Sequence, residues 1–178
     1  MKQSKKQIGR ICPICNSLTY KNKYDIYNCK KCDFYFSEFT PGIGAEISGV
    51  EYVRTKNFHL ILNSLSELLP EKKSIGILDV GCSDGLFLDV VSEYEIFRAT
   101  GIEPEKDKYD VAIKKGREVF NCLFSADSVT KIVEEKGKFD VVIFNDSFEH
   151  IPDVAKTIEA ASDTLNNNGI IAFNMPDS

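Results

Sequence analysis

The chain contains no run approaching the ~20 apolar residues of a membrane-spanning helix. Its basic start, Met1 to Arg10, lacks the apolar core of a secretory signal. Both absences predict a cytoplasmic protein. Histidine occurs only twice, as His59 and His150. His59 falls within a helical pattern and is read as structural; His150 is a candidate general base, and the catalytic residue, if there is one, is otherwise left unassigned. Also missing is the third glycine of the dinucleotide pattern Gly-x-Gly-x-x-Gly. Counted from Gly81 it would fall at position 86, which is Leu86.

The 178 residues suffice for one modest domain and a small appendage. Charge is unevenly spread. Residues 1–40 hold eight Lys/Arg against three Asp/Glu, and the remainder fourteen against twenty-four. The acidic remainder argues against that surface gripping a polyanion. The basic front leaves nucleic acid open as the weaker alternative.

Six cysteines in a reducing compartment read as ligands or free thiols rather than disulfides. Four of them form two Cys-x-x-Cys knuckles, Cys12–Cys15 and Cys29–Cys32, thirteen residues apart. That spacing predicts a closed four-thiolate zinc site, structural rather than catalytic, with an iron site or a redox dithiol pair as alternatives. The polar stretch between, with Tyr20, Tyr24, Ile26 and Tyr27, suits a short hairpin. So small a segment would take most of its stability from the metal, about 10 kcal/mol apparent. Lys21, Lys23, Lys30 and Lys31 offset the negative charge of four thiolates around one Zn²⁺, which explains the basic balance without nucleic acid.

Beyond a linker at 41–50, rich in Gly and Pro, apolar residues recur at helical spacing from Glu51 to Leu69. Short apolar runs then alternate with helical stretches. Strands are expected at Ile75–Val80, Ala99–Glu103, Glu118–Leu123, Phe139–Phe144 and Ile170–Asn174. Helices are expected at Asp84–Phe97, Glu105–Lys115, Ser128–Lys136 and Val154–Leu165. This alternation means an α/β fold, a doubly wound, mainly parallel sheet wrapped by helices.

The most informative stretch is Ile75-Gly76-Ile77-Leu78-Asp79-Val80-Gly81-Cys82-Ser83-Asp84-Gly85, followed after one helix by Gly101-Ile102-Glu103-Pro104. Glycines at the first strand–helix turn let a ligand approach the main chain, and a carboxylate at the tip of the next strand can accept hydrogen bonds from a ribose diol. The plain alternative is a cofactor-free domain with an ordinary strand–helix turn.

Small residues at 81, 83 and 85, with an Asp two positions earlier, resemble motif I of the class I S-adenosylmethionine-dependent methyltransferases, Asp/Glu-x-Gly-x-Gly-x-Gly, with Ser83 in place of the middle glycine. The resemblance covers roughly residues 75–176. It implies a Rossmann-like fold, S-adenosylmethionine as cofactor, and cofactor contacts from Asp79, Gly81, Cys82, Ser83, Gly85, Glu103, Pro104, Asp127 and Asn145. Each has a duller alternative: Asp79 or Asp127 as a helix cap, Glu103 as an acid beside a helix start, Cys82 as packing. The segment from Phe139 to Asp153 resembles motif IV of the same family. By resemblance to the ubiquinone O-methyltransferases, Asp146, Glu149 and His150 have the spacing of a metal site, with capping and packing as the plainer account. Tyr52, near Glu51 and Arg54, is a candidate lid residue.

The full class I sheet has seven strands, and five are found here. The expectation is therefore a domain lacking the last two strands, either a fragment of a longer enzyme or a chain whose apolar edge strand is covered by a partner such as a second copy. A ribbon at 1–40 followed by a methyltransferase domain at 51–178 resembles enzymes of sugar, glycan and natural-product pathways. A small-molecule or nucleotide-sugar acceptor is expected. The alternatives are an RNA base methyltransferase, since one ribosomal RNA guanine methyltransferase family also carries a zinc ribbon, and a non-catalytic cofactor-binding protein or scaffold.

Overall fold

In the computed structural model the described residues are 9–21, 26–36 and 51–175. The expected linker at 41–50, and Lys23 and Tyr24, lie outside them. The chain divides into two compact units. One holds the N-terminal segment with residues 150–155, and the other holds the rest. Among the described residues no helix is long and apolar enough to cross a membrane.

The first unit is an antiparallel meander of β1 (Gly9–Ile11), β2 (Leu18–Lys21), β3 (Tyr27–Asn28) and β4 (Tyr35–Phe36), in that spatial order. Its apolar core is small. Tyr27 is buried and stacks on Phe36 at 5.0 Å between ring centroids. Two hairpin ends carry the cysteine knuckles, and in each the residue after the second cysteine, Asn16 or Asp33, turns through a left-handed backbone. Asn and Asp tolerate that conformation better than other side chains.

The second unit opens with α1 (Glu51–Leu68). Phe58, Leu62 and Leu65 recur along one face and are buried, and Leu69 follows them inward. Each contributes about 1.5–3 kcal/mol of burial. The elements β5 (Ile75–Val80), α2 (Leu86–Val91), β6 (Phe97–Ile102), α3 (Lys106–Lys114), β7 (Val119–Phe120), α4 (Ala126–Lys136), β8 (Phe139–Asn145), α5 (Val154–Thr164) and β9 (Leu165–Asn174) follow. The sheet order is β7-β6-β5-β8-β9 and every pairing is parallel. Ile75, Ile77, Val141 and Ile143 meet Phe58 of α1 and Phe87 of α2 in one core cluster. Alternation turns Leu78, Val142 and Phe144 to the opposite face. They too are fully buried, so both faces of the sheet are covered.

Three elements depart from expectation. Helix α2 ends at Val91, not Phe97, because β6 must begin at Phe97 to pair with Ile75. The Ile75 N–H already donates to Ile96 O at 2.8 Å. The chain therefore turns through residues 92–96, and Tyr94 swings to His59, whose Nδ1 lies 2.6 Å from the hydroxyl. Strand β7 shrinks to two residues, because Asn121 leaves the strand to donate to the carbonyls of Glu103 and Pro104. Strand β9 starts at Leu165 rather than Ile170. Leu165 pairs with Phe139, then the register shifts and Ile170 pairs with Val141. The extra residues make a bulge, in which Asn168 is left-handed and Asn166 reaches Asp140.

Asp140 anchors the amino end of the sheet. Its carboxylate, nearly buried, accepts from Lys72 Nζ, Gly76 N and Asn166 Nδ2, each at 2.9 Å. Burial alone would raise its pKa, but the Gly76 N–H, Lys72 and Asn166 outweigh that and hold it below the ordinary value. Its stabilising contribution is therefore present above the unfolded carboxylate pKa and is lost as pH falls through the depressed native value. Asp140→Ala should lower unfolding free energy in urea at pH 7 by about 2–3 kcal/mol. The gap to wild type should narrow below pH 4, and an equal gap at pH 3 and pH 7 would refute the ionic account.

Candidate cofactor cleft and metal centre

The turn between β5 and α2 is built from alternating left-handed residues: Gly81 (φ 79°), Ser83 (φ 53°) and Gly85 (φ 85°). The alternation of small residues in the sequence is thus a backbone requirement. At Gly81 a Cβ would come within 2.8 Å of the Ser147 Cβ, so side chain and conformation both exclude anything larger. Ser83 bears the strain of a non-glycine left-handed residue, about 1 kcal/mol. Its N–H donates to Glu103 Oε2 at 2.8 Å, and Glu105 N donates to Oε1 at 2.7 Å. Glu103, at the carboxyl tip of β6, is 4% exposed. Each of its oxygens keeps a lone pair beyond these bonds.

Beside this turn lies a small, shallow cleft between the carboxyl ends of β5 and β8 and the flank of α1 and α2. Asp79, Gly81, Cys82, Ser83 and Asn145 line it together, joined by Arg54 and Phe58 of α1. Asp79 is 1% exposed. Burial pushes its pKa up to about 7, the neighbouring Glu103 charge adds to this, and Asn145 and Arg54 oppose it. Asn145 Nδ2 donates to Asp79 Oδ1 at 3.1 Å, while its own Oδ1 is buried without a hydrogen-bond partner. Arg54 Nε is likewise buried and unpartnered. A protonatable carboxylate, an orphaned acceptor and an orphaned cationic donor in one small cleft suit a zwitterion.

The other residues singled out from sequence sit elsewhere. Gly85 adjoins the cleft and packs towards Ala112, where a Cβ would stand 3.3 Å away. Cys82 Sγ fills the space over Gly101, where a Cβ would meet it at 2.5 Å, and burial raises its thiol pKa. Its packing reading and its place in the cleft therefore coexist. Pro104 is exposed. Asp127 is exposed in the first turn of α4 and does not cap it, because Ser125 is the N-cap in a reciprocal pair with Ser128. His150 is exposed on a 3-10 turn. Among the described residues, the four cysteines are the group placed to hold a metal ion. Tyr52 is 72% exposed, with Lys56 Nζ over its ring. Arg54 is the cleft residue that sequence reasoning left without a role, since a lone Arg on a helix carries no motif signal.

Cys12, Cys15, Cys29 and Cys32 bring their four Sγ atoms within 4.8 Å of one another, with Cys12–Cys32 at 3.6 Å and Cys15–Cys29 at 3.4 Å. Zn–S bonds of about 2.3 Å in a tetrahedron require S···S separations of roughly 3.8 Å. The donor set fits Zn²⁺. Hydrogen bonding with Ser17 draws the Cys15 thiol down to about 6, whereas desolvation pushes Cys32 up to about 12, so zinc binding, which needs all four as thiolates, would displace thiol protons.

A parallel sheet whose order reverses at β5, with a cleft at the carboxyl ends there, is a nucleotide-binding arrangement. With motif I at that turn, it defines the Rossmann-like fold of class I methyltransferases. The chain belongs to the methyltransferase-domain family, whose model matches residues 51–178. It is 31% identical over 101 residues to the ubiquinone biosynthesis O-methyltransferase of Colwellia psychrerythraea, covering 54% of this chain and 40% of that protein. It is 27% identical over 122 residues to the malonyl-[acyl-carrier protein] O-methyltransferase of Bacillus anthracis, covering 68% and 45%. The matched region thus spans less than half the length of these curated relatives. Among solved structures, the plantazolicin methyltransferase BpumL in complex with SAH superposes with a TM-score of 0.57 at 17% identity, over 69% of this chain and 47% of that one. The PH0226 protein of Pyrococcus horikoshii OT3 gives 0.56 at 22%, over 74% and 57%. These two similarities establish the fold.

Two measurements test this geometry. Ser83→Gly should raise stability by about 0.5–1 kcal/mol by relieving the left-handed strain; a loss in the urea midpoint would mean that the serine side chain contributes more than its backbone costs. Metal analysis should return one zinc per chain for the wild type and none for Cys29→Ser, and zinc retained by the variant would remove the four-thiolate site.

Proposed function

We propose that this protein is an S-adenosylmethionine-dependent methyltransferase acting on a small-molecule acceptor, with a structural zinc ribbon at 1–40, a linker at 41–50 and the cofactor-binding domain at 51–178. The observation that carries the reading is the cleft itself. Asp79 and Asn145 Oδ1 form an acceptor pair suited to the ammonium of a methionyl group, and Arg54 is suited to its carboxylate. Glu103, which accepts from the N–H of the cleft residue Ser83, has one lone pair per carboxylate oxygen left for a ribose diol, and Gly81 brings main chain to the cleft wall.

When bound, S-adenosylmethionine supplies a methyl group on a sulfonium, and its C–S bond breaks as the bond to the acceptor forms. The chain's contribution is to align donor and acceptor and to exclude water. Asn145, where β8 leaves the sheet, stands at the cleft wall and would orient the methyl-bearing end. Two similar proteins carry O-methyltransferase names, which supports an oxygen acceptor whose hydroxyl or carboxyl proton leaves to solvent or a nearby base. The nucleotide-sugar class rests only on the pairing of ribbon and domain.

Asp79 makes binding pH-dependent. Its pKa of about 7 in the free protein is pulled down by an arriving ammonium. Binding therefore expels a proton near pH 6–7, and affinity climbs with pH up to about 7 before levelling. Calorimetry of S-adenosylhomocysteine in buffers of differing ionisation enthalpy should show proton release at pH 6.5 for the wild type and none for Asp79→Asn. Glu103→Ala should weaken binding about ten- to a hundredfold. Absence of binding by the wild type, or wild-type affinity in Glu103→Ala, would sink the cofactor reading. Transfer of tritiated methyl from S-adenosylmethionine into the small-molecule fraction of a cell extract tests the acceptor class.

A further inference from the structure

Arg54 is the least satisfied charged group of the cleft. Its guanidinium carries five N–H donors in a fork that matches a carboxylate bidentately. Here its Nη2 makes one loose contact, 3.5 Å to Asp146 Oδ2, while its Nε is buried without a hydrogen-bond partner. The guanidinium carbon lies 5.9 Å from the Phe58 ring centroid, which keeps the fork on the cleft wall. Asp146, for its part, is held in a left-handed backbone (φ 49°), with its N–H on Asn174 O at 2.8 Å. It directly follows Asn145, so the loop that leaves β8 aims a carboxylate at the residue best placed to receive one from a ligand.

We propose that Asp146 is an internal competitor for the cofactor's carboxylate. It occupies Arg54 in the free protein and is displaced when the methionyl carboxylate takes the fork, a displacement that frees an acid at the mouth of the cleft beside Asn145. The inference rests on the cofactor reading above. The Arg54 and Asp146 side chains are 40% and 36% exposed, and an exposed pair of this kind is worth at most about 1 kcal/mol. The competition therefore lowers cofactor affinity by a modest factor, about two- to fivefold, and acts only on ligands that carry the carboxylate. It makes Asp146 a positioning residue, set by the cofactor before an acceptor arrives.

The test compares S-adenosylhomocysteine with its decarboxylated analogue, S-adenosyl-3-thiopropylamine, by calorimetry on the whole chain. Asp146→Asn, a replacement that tolerates the left-handed backbone, should tighten S-adenosylhomocysteine two- to fivefold and leave the analogue unchanged. On an Arg54→Gln background the same substitution should do nothing. If the asparagine variant does not fold, Asp146→Gly, the residue this φ favours, gives the same comparison. Equal shifts for both ligands, weaker binding, or an unchanged effect without Arg54 would overturn the competition while leaving the cofactor reading intact. Failure of the wild type to bind S-adenosylhomocysteine would overturn both.

Discussion

The second unit is organised around one hydrogen bond, from the Ser83 N–H to Glu103. It joins the turn after β5 to the tip of β6, so the main-chain path of one strand end depends on a side chain from the next. The turn cannot relax into an ordinary helix start, because residues 81, 83 and 85 are left-handed in alternation. Gly81 and Cys82 both donate to Ile102 O, which draws the turn across the end of β6. The second Glu103 oxygen accepts from Glu105 as the chain enters α3, so one buried carboxylate orders two successive strand–helix turns.

Burying that carboxylate shapes the electrostatics of the cleft. Glu103 and desolvation together oppose ionisation of Asp79. Asn145 and, from the preceding helix α1, Arg54 partly restore it. The outcome is a site poised near neutrality, in which an incoming cation and anion together would complete what the free protein leaves unpaired. Such pre-set polarity lowers the reorganisation that ligand binding requires.

The alternation of small residues from Gly81 to Gly85 was readable because it encodes a backbone conformation, and each cysteine knuckle because ligand geometry demands local spacing. Five parallel strands were readable from their apolar runs. The register was not. Helix α2 ends early because Phe97 has to meet Ile75, a pairing decided between strands. The bulge in β9 depends on Asn166 reaching Asp140 across the sheet. Capping of α4 by Ser125 rather than Asp127 turns on a reciprocal bond with Ser128, where three acceptable capping residues lie within four positions.

By itself, then, the order of residues determined what is local: the left-handed turn, the paired thiolates, the alternation of strand and helix, and the acid at the end of β6. Each follows from chemistry within a few positions along the chain. Tertiary structure alone decided which distant groups share the cleft. Arg54, Asp79 and Asn145 come from a helix and two strands separated by up to ninety-one positions. Their mutual charges, and the two buried polar atoms left without partners, exist only once packing has removed the water that would otherwise have satisfied them.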